Sequence, residues 1–196
     1  FPYLSKTWRD HITEFGATYR QQWEKGSAYP KNQPQASRRD AWPPTGGGPG
    51  SDLRFMAEQH LNPNNVAMGI LNPLGAGQGA QNADLSAALT RATNDWQKAE
   101  WTSQDSRLKG SVVVPYEDAL ASAKEIEFRA ADRDFRQVLL LSRTAEPLGQ
   151  RRYWPIYEAA QAANLAVGIH AFGYGGWPVT GGGWPSYYIE EMVGHS

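Results

Sequence analysis

Leu165-Ala166-Val167-Gly168-Ile169-His170-Ala171-Phe172-Gly173-Tyr174-Gly175-Gly176-Trp177-Pro178 is the stretch on which the fold turns. A short apolar run of buried-strand length ends on His170 and opens at once into a Gly- and aromatic-rich loop. The carboxyl ends of parallel strands are where α/β proteins build their sites. Working back, the same rhythm recurs. Val66 to Leu71 is an apolar run ending in Asn72-Pro73, Gly110 to Val114 is a β-branched strand stopped by Pro115, and Gln137 to Leu141 is a third buried strand.

Helical patterns fill the gaps. Asp84 to Trp101 carries Leu85, Ala88, Leu89, Ala92, Trp96 and Ala99 on one stripe. Asp118 to Ala131 is expected to turn Leu120, Ala123, Ile126 and Ala130 inward, and Arg152 to Ala163 closes at Asn164, which tolerates the left-handed conformation. Helical connections of this length make right-handed crossovers between parallel strands. Continuously apolar strands imply that both sheet faces are covered. The pattern is therefore α/β, either a doubly wound sheet or a barrel. A further helix is expected from Trp184-Pro185 through Ile189, Met192 and Val193.

Upstream the signal is less regular. Residues 1–50 read as an insertion-like segment. Leu4, Trp8, Ile12, Phe15 and Tyr19 recur at loosely helical spacing, and Tyr29 to Gly50 is dense in Pro and Gly. Ser51-Asp52 then supplies an N-cap for a helix through Leu53, Met56, Ala57 and His60. Residues 51–196 form the α/β unit.

Composition removes several function classes. Nineteen basic against 20 acidic residues leave a net charge of −1, which gives no electrostatic reason to expect nucleic acid or a membrane surface as partner. Cys is absent, which rules out disulfides, thiolate metal sites and a Cys nucleophile. Zero Cys fits a reducing compartment, and a cytoplasmic location is the expectation. No apolar run approaches the roughly 18 residues that span a bilayer.

Gly75-Ala76-Gly77-Gln78-Gly79-Ala80 satisfies a loose dinucleotide pattern, but Asn72-Pro73-Leu74 separates it from its strand, and Glu100 falls on a helix. A flexible βα loop is the better reading. No P-loop, G-x-S-x-G or H-E-x-x-H occurs. His11 and His60 fall on surface helices, and His195 at a helix end. His170, at a strand's carboxyl end, is either a ligand or catalytic group, or a buried imidazole satisfied by a carbonyl. Arg143 stands just past the Leu139-Leu140-Leu141 strand, suited to a substrate carboxylate or to an ion pair with Glu146. Asn72 ends another strand. Trp184, Tyr187 and their aromatic neighbours could line a pocket for an aromatic substrate, or serve as core or subunit interface.

Several of these segments carry a family likeness. Arg152-Tyr153-Trp154-Pro155-Ile156-Tyr157-Glu158-Ala159-Ala160, followed by Asn164 through His170, resembles the amidohydrolase-related (amidohydrolase 2) family. This is the metal-dependent branch that includes aminocarboxymuconate-semialdehyde decarboxylase and resorcylate-type decarboxylases. Asn82 to Trp101, Arg107 to Pro115, and Trp184 to Glu191 are similar to the same family.

The resemblance implies a (β/α)8 TIM barrel, of which this chain holds about four parallel strands with crossover helices. It implies His170 as one metal ligand, with an H-x-H pair expected before Phe1 and a catalytic histidine and aspartate expected beyond Ser196. The implied cofactor is a divalent cation, zinc first, manganese or another second. Such a cation lowers the pKa of a bound water or binds a substrate oxygen.

The implied function is hydrolysis or non-oxidative decarboxylation of a small aromatic or carboxylate-bearing substrate, with Arg143, Asn72, Trp184 and Tyr187 around it. The full-length parent is expected to be a homo-oligomer, and the segment alone to be inactive. The rival is a non-catalytic α/β ligand-binding or interaction module.

Overall fold

The computed structural model describes residues 2–15, 38–73 and 77–170. Strands β1 (Gly69–Leu71), β2 (Leu108–Val113), β3 (Phe135–Leu141) and β4 (Ala166–His170) form one parallel sheet in the order β1-β2-β3-β4. Helices α3 (Ala83–Gln97), α4 (Ala119–Arg129) and α5 (Trp154–Ala162) make the three crossovers. Before them come α1 (Lys6–Phe15) and α2 (Leu53–Met56), which runs on as a π-turn over Ala57–Leu61.

Strand order settles the choice between barrel and doubly wound sheet. A doubly wound sheet reverses its order at a switch point. Sequential order with same-handed crossovers keeps every helix on one face, and α4 and α5 do pack against each other. The chain is a partial (β/α) barrel, a curled wall with helices outside.

The core lies between that wall and its helices. Val112, Val114, Val138 and Leu140 meet Ile126 of α4 and Ile156, Ala159 and Ala160 of α5. On the opposite, barrel-facing side Val113 and Leu139 are paired in register and form an apolar cluster of their own. Alternation along each strand therefore splits it between two environments, as the pleat requires. Outside, Leu4 and Ile12 of α1 and the turn before it pack onto Leu85 and Ala92 of α3.

Local chemistry explains the element ends. Asp52, Asn82 and Asp118 each accept the backbone N–H three residues on (Phe55, Leu85 and Ala121), which is N-capping in each case. Asn164 closes α5 with φ of 53°, as its sequence position suggests. The expected Val66–Leu71 strand is shorter in the structure. Val66 N–H donates to Leu61 C=O (2.9 Å) to finish the preceding turn, which leaves only Gly69–Leu71 to pair with β2.

On α4 the expected inward face is wrong in part. Leu120 is 69% exposed and Ala130 is also outside, while Ser122, Glu125, Ile126 and Arg129 are buried. The helix turns charged groups inward because they have partners there. Arg129 Nε donates to Glu125 Oε1 (2.8 Å) and its Nη2 to Asp95 Oδ1 (2.5 Å), while Arg91 Nη1 donates to Glu125 Oε2 (2.5 Å).

Beyond Leu71 the β1 side of β2 is taken over by α3. Asn94 Nδ2 donates to Val113 C=O and its Oδ1 accepts from Val113 N–H, both at 2.9 Å. One turn later Gln97 does the same for Ser111, at 2.9 and 3.2 Å. Two side-chain amides thus stand in for a neighbouring strand.

Candidate active site

The carboxyl ends of β2, β3 and β4 converge on one loop. Ser142 N–H donates to the His170 carbonyl (2.9 Å), so the residue before Arg143 is tied to the last residue of β4. His170 pairs in register with Leu141. Both Arg143 and His170 are half-buried. Strand pairing therefore brings these two sequence candidates to the same end of adjacent strands.

The expected competitor for Arg143 is engaged elsewhere. Glu146 Oε1 accepts from Arg152 Nη1 at 2.9 Å. Among the described residues the Arg143 guanidinium forms no ion pair, which leaves its planar donor fork for another anion.

Beneath this loop lies a polar group that sequence reasoning missed. Tyr116, fully buried, donates its hydroxyl to the Arg143 carbonyl (2.8 Å). Glu117 Oε1 accepts from Ala145 N–H (2.7 Å), and the Glu117 carboxylate also takes the Tyr153 hydroxyl (3.2 Å to Oε2). Arg152 lies 3.2 Å from the same carboxylate. Burial raises the Glu117 carboxyl above its ordinary value, against the opposing pull of the Ala145 N–H and Arg152. Burial likewise pushes the Tyr153 phenol up to about 12. The sequence signal was faint: an acid two residues past the strand-ending Pro115.

Asn72 sits apart from this end. Its Oδ1 accepts from Ser111 Oγ (2.8 Å) and Gln137 Nε2 (2.7 Å). Ser111 and Gln137 pair with each other and Gln137 with Ala166. His170 lies further along β4 by about 13 Å at the usual rise per residue. Trp184 and Tyr187 lie outside the described residues.

The described half of the Gly-rich loop, Gly77–Ala80, forms a hydrogen-bonded turn. Ala80 N–H donates to Gly77 C=O (3.0 Å), and the Ser86 hydroxyl reaches the carbonyls of Gly77 (2.7 Å) and Gln78 (3.2 Å). Gly77 has φ of +75°, and a Cβ there would meet Leu89 at 2.5 Å. Gln78 is 1% exposed, and among the described residues neither its Oε1 nor its Nε2 has a hydrogen-bond partner.

A cavity of about 590 Å³ lies between the Arg38–Ala41 turn and α2, lined by Arg38, Asp40, Phe55, Met56, His60 and others. It includes none of the candidate residues, and the convergence of chemistry at Arg143 and His170 is the better guide to a site. No three His, Cys, Asp or Glu side chains come together among the described residues. The described residues therefore do not by themselves complete a metal coordination set. No helix among them is long and apolar enough to cross a membrane.

Comparison with known proteins bears on the family and the fold. The family model described as Amidohydrolase matches residues 7–188. A crystal structure described as a "putative amidohydrolase" from Staphylococcus aureus superposes with a TM-score of 0.55 at 22% identity. The match covers 61% of this chain and 39% of that one, so the chain spans well under half the length of that structure. At this identity the likeness speaks for the fold. No curated protein matches the chain.

Proposed function

The chain belongs to the amidohydrolase family, and from that premise we propose that it supplies one wall of the active site of a hydrolase-type enzyme. The substrate we propose is a small aromatic or carboxylate-bearing molecule, with non-oxidative decarboxylation as the finer alternative to hydrolysis. The observation that carries the reading is the placement of Arg143 beside His170 at the ends of β3 and β4, with Glu146 already held by Arg152.

In this proposal Arg143 anchors a substrate carboxylate through its paired N–H donors. His170 contributes one imidazole toward a divalent cation, zinc first. Such a cation supplies Lewis acidity toward a substrate oxygen or water. Asn72 offers its carboxamide lower on the barrel-facing side, where Ser111 and Gln137 fix its oxygen. Trp184 and Tyr187 would add ring faces to the pocket. The full-length parent would act as a homo-oligomer on a small molecule, with neither nucleic acid nor membrane as partner and in the cytoplasm. The near-neutral net charge and absence of Cys support that setting.

The test is metal analysis of the full-length parent with and without His170→Ala. Loss of bound metal in the variant is expected. Stoichiometric metal retained without the imidazole removes His170 from the ligand set.

A further inference from the structure

The loop that carries Arg143 is fastened through its backbone on both sides. Ser142 N–H is held by the His170 carbonyl, the Arg143 carbonyl by the Tyr116 hydroxyl, and Ala145 N–H by the Glu117 carboxylate. Tyr116 and Glu117 are consecutive residues in the turn between β2 and α4, so both fastenings come from one short segment. Glu117 is itself braced: its side chain is 13% exposed, with the Tyr153 hydroxyl and the Arg152 guanidinium against it.

We infer that Tyr116 and Glu117 are positioning residues for Arg143, holding its backbone beside β4 so that the guanidinium meets a substrate carboxylate at one fixed spacing from His170. The inference rests on the reading of Arg143 as the carboxylate anchor. A bidentate guanidinium–carboxylate pair is directional, and much of its value is lost when the arginine's base can shift. Arg143 has no ion-pair partner among the described residues to orient it. The orientation must come from the backbone, and these two side chains are what grips it. Neither needs to touch the substrate. Each acts through the loop.

The test is calorimetric titration of the full-length parent with benzoate, and with neutral benzamide as comparator. Tyr116→Phe keeps the ring and removes the hydroxyl. Glu117→Ala removes the acceptor for Ala145 N–H, whereas Glu117→Gln keeps an oxygen there. Arg143→Ala measures the anchor itself. Tyr116→Phe and Glu117→Ala should each weaken benzoate about tenfold, the scale of one charge-assisted contact. Glu117→Gln should retain most of the affinity, and benzamide should bind all three variants as before.

Unchanged benzoate affinity in Tyr116→Phe and Glu117→Ala, with loss in Arg143→Ala, overturns the positioning role and leaves the anchor standing. Equal weakening of benzoate and benzamide also overturns it, because that is general loosening. Failure of the unaltered parent to bind benzoate, or indifference to Arg143→Ala, removes anchor and positioning together. Should Tyr116→Phe not fold, the Glu117→Ala and Glu117→Gln pair decides alone.

Discussion

The Asn94 carboxamide binds both the N–H and the C=O of Val113, each at 2.9 Å, and Val113 is wholly buried. Asn94→Ala leaves both backbone groups and the Glu125 Oε1 contact of Asn94 without that partner. Unsatisfied buried polar groups cost about 1–3 kcal/mol each, so a total loss of about 3 kcal/mol is expected. Urea unfolding measures it. A loss under about 1 kcal/mol would mean that water reaches β2 in the variant.

Arg129 gives a contrasting case. It is 4% exposed and Glu125 is 7% exposed, so neither charge is well hydrated. Arg129→Met should cost about 3 kcal/mol, the low end for breaking a buried pair, because Glu125 keeps Arg91 and Asn94 as partners. The double replacement Glu125→Gln with Arg129→Met should cost less than Arg129→Met alone. A strictly additive double-mutant cycle would refute this coupling.

Gln78 should respond in the opposite sense. Its carboxamide is buried with no partner at either end among the described residues, so Gln78→Met removes a desolvated polar group at nearly constant volume. A gain of about 1–2 kcal/mol is expected, or a Tm rise of roughly 2–8 °C for a chain of this size. A fall in Tm on calorimetry contradicts it.

The acid limb of stability follows from two carboxyl groups. Burial raises the Glu117 pKa. A carboxyl with a raised folded pKa favours the folded state while protonated, and that contribution is lost as pH rises through the folded value. Glu117→Gln should therefore stabilise most near pH 7, and the benefit should shrink as pH falls below the ordinary carboxylate range. Asp105 runs the other way. Hydrogen bonding from the Arg107 side chain holds it below 3.8, so its contribution is present above that value and fades as pH falls through the lowered one. Asp105→Asn should cost stability at pH 7 and little near pH 2. Stability curves for both variants across pH 2–8 decide the signs.

The sequence made the frame legible where apolar runs were continuous. Leu139-Leu140-Leu141 and Ala166 to His170 read as strands and are strands, and Asp52, Asp118 and Asn164 marked element ends that the hydrogen bonds confirm. What it hid was determined through space. Val66 looked like strand because its side chain is apolar, yet its N–H was needed by Leu61. Leu120 looked inward until Arg129 and Glu125 took that face with partners from α3. In the site, Arg143 and His170 could be placed by strand ends alone. Tyr116 and Glu117 could not, because their roles depend on a loop 27 and 28 residues away.

The order β1-β2-β3-β4 also bears on how the chain comes into being. Each strand pairs with the one made just before it, so no early strand waits for a late one to arrive between its neighbours. Loop closures stay short, and short closures fold fast. During synthesis each new βα unit finds its docking edge already laid down by the segment that left the ribosome ahead of it. The barrel wall can be assembled in the direction it is translated.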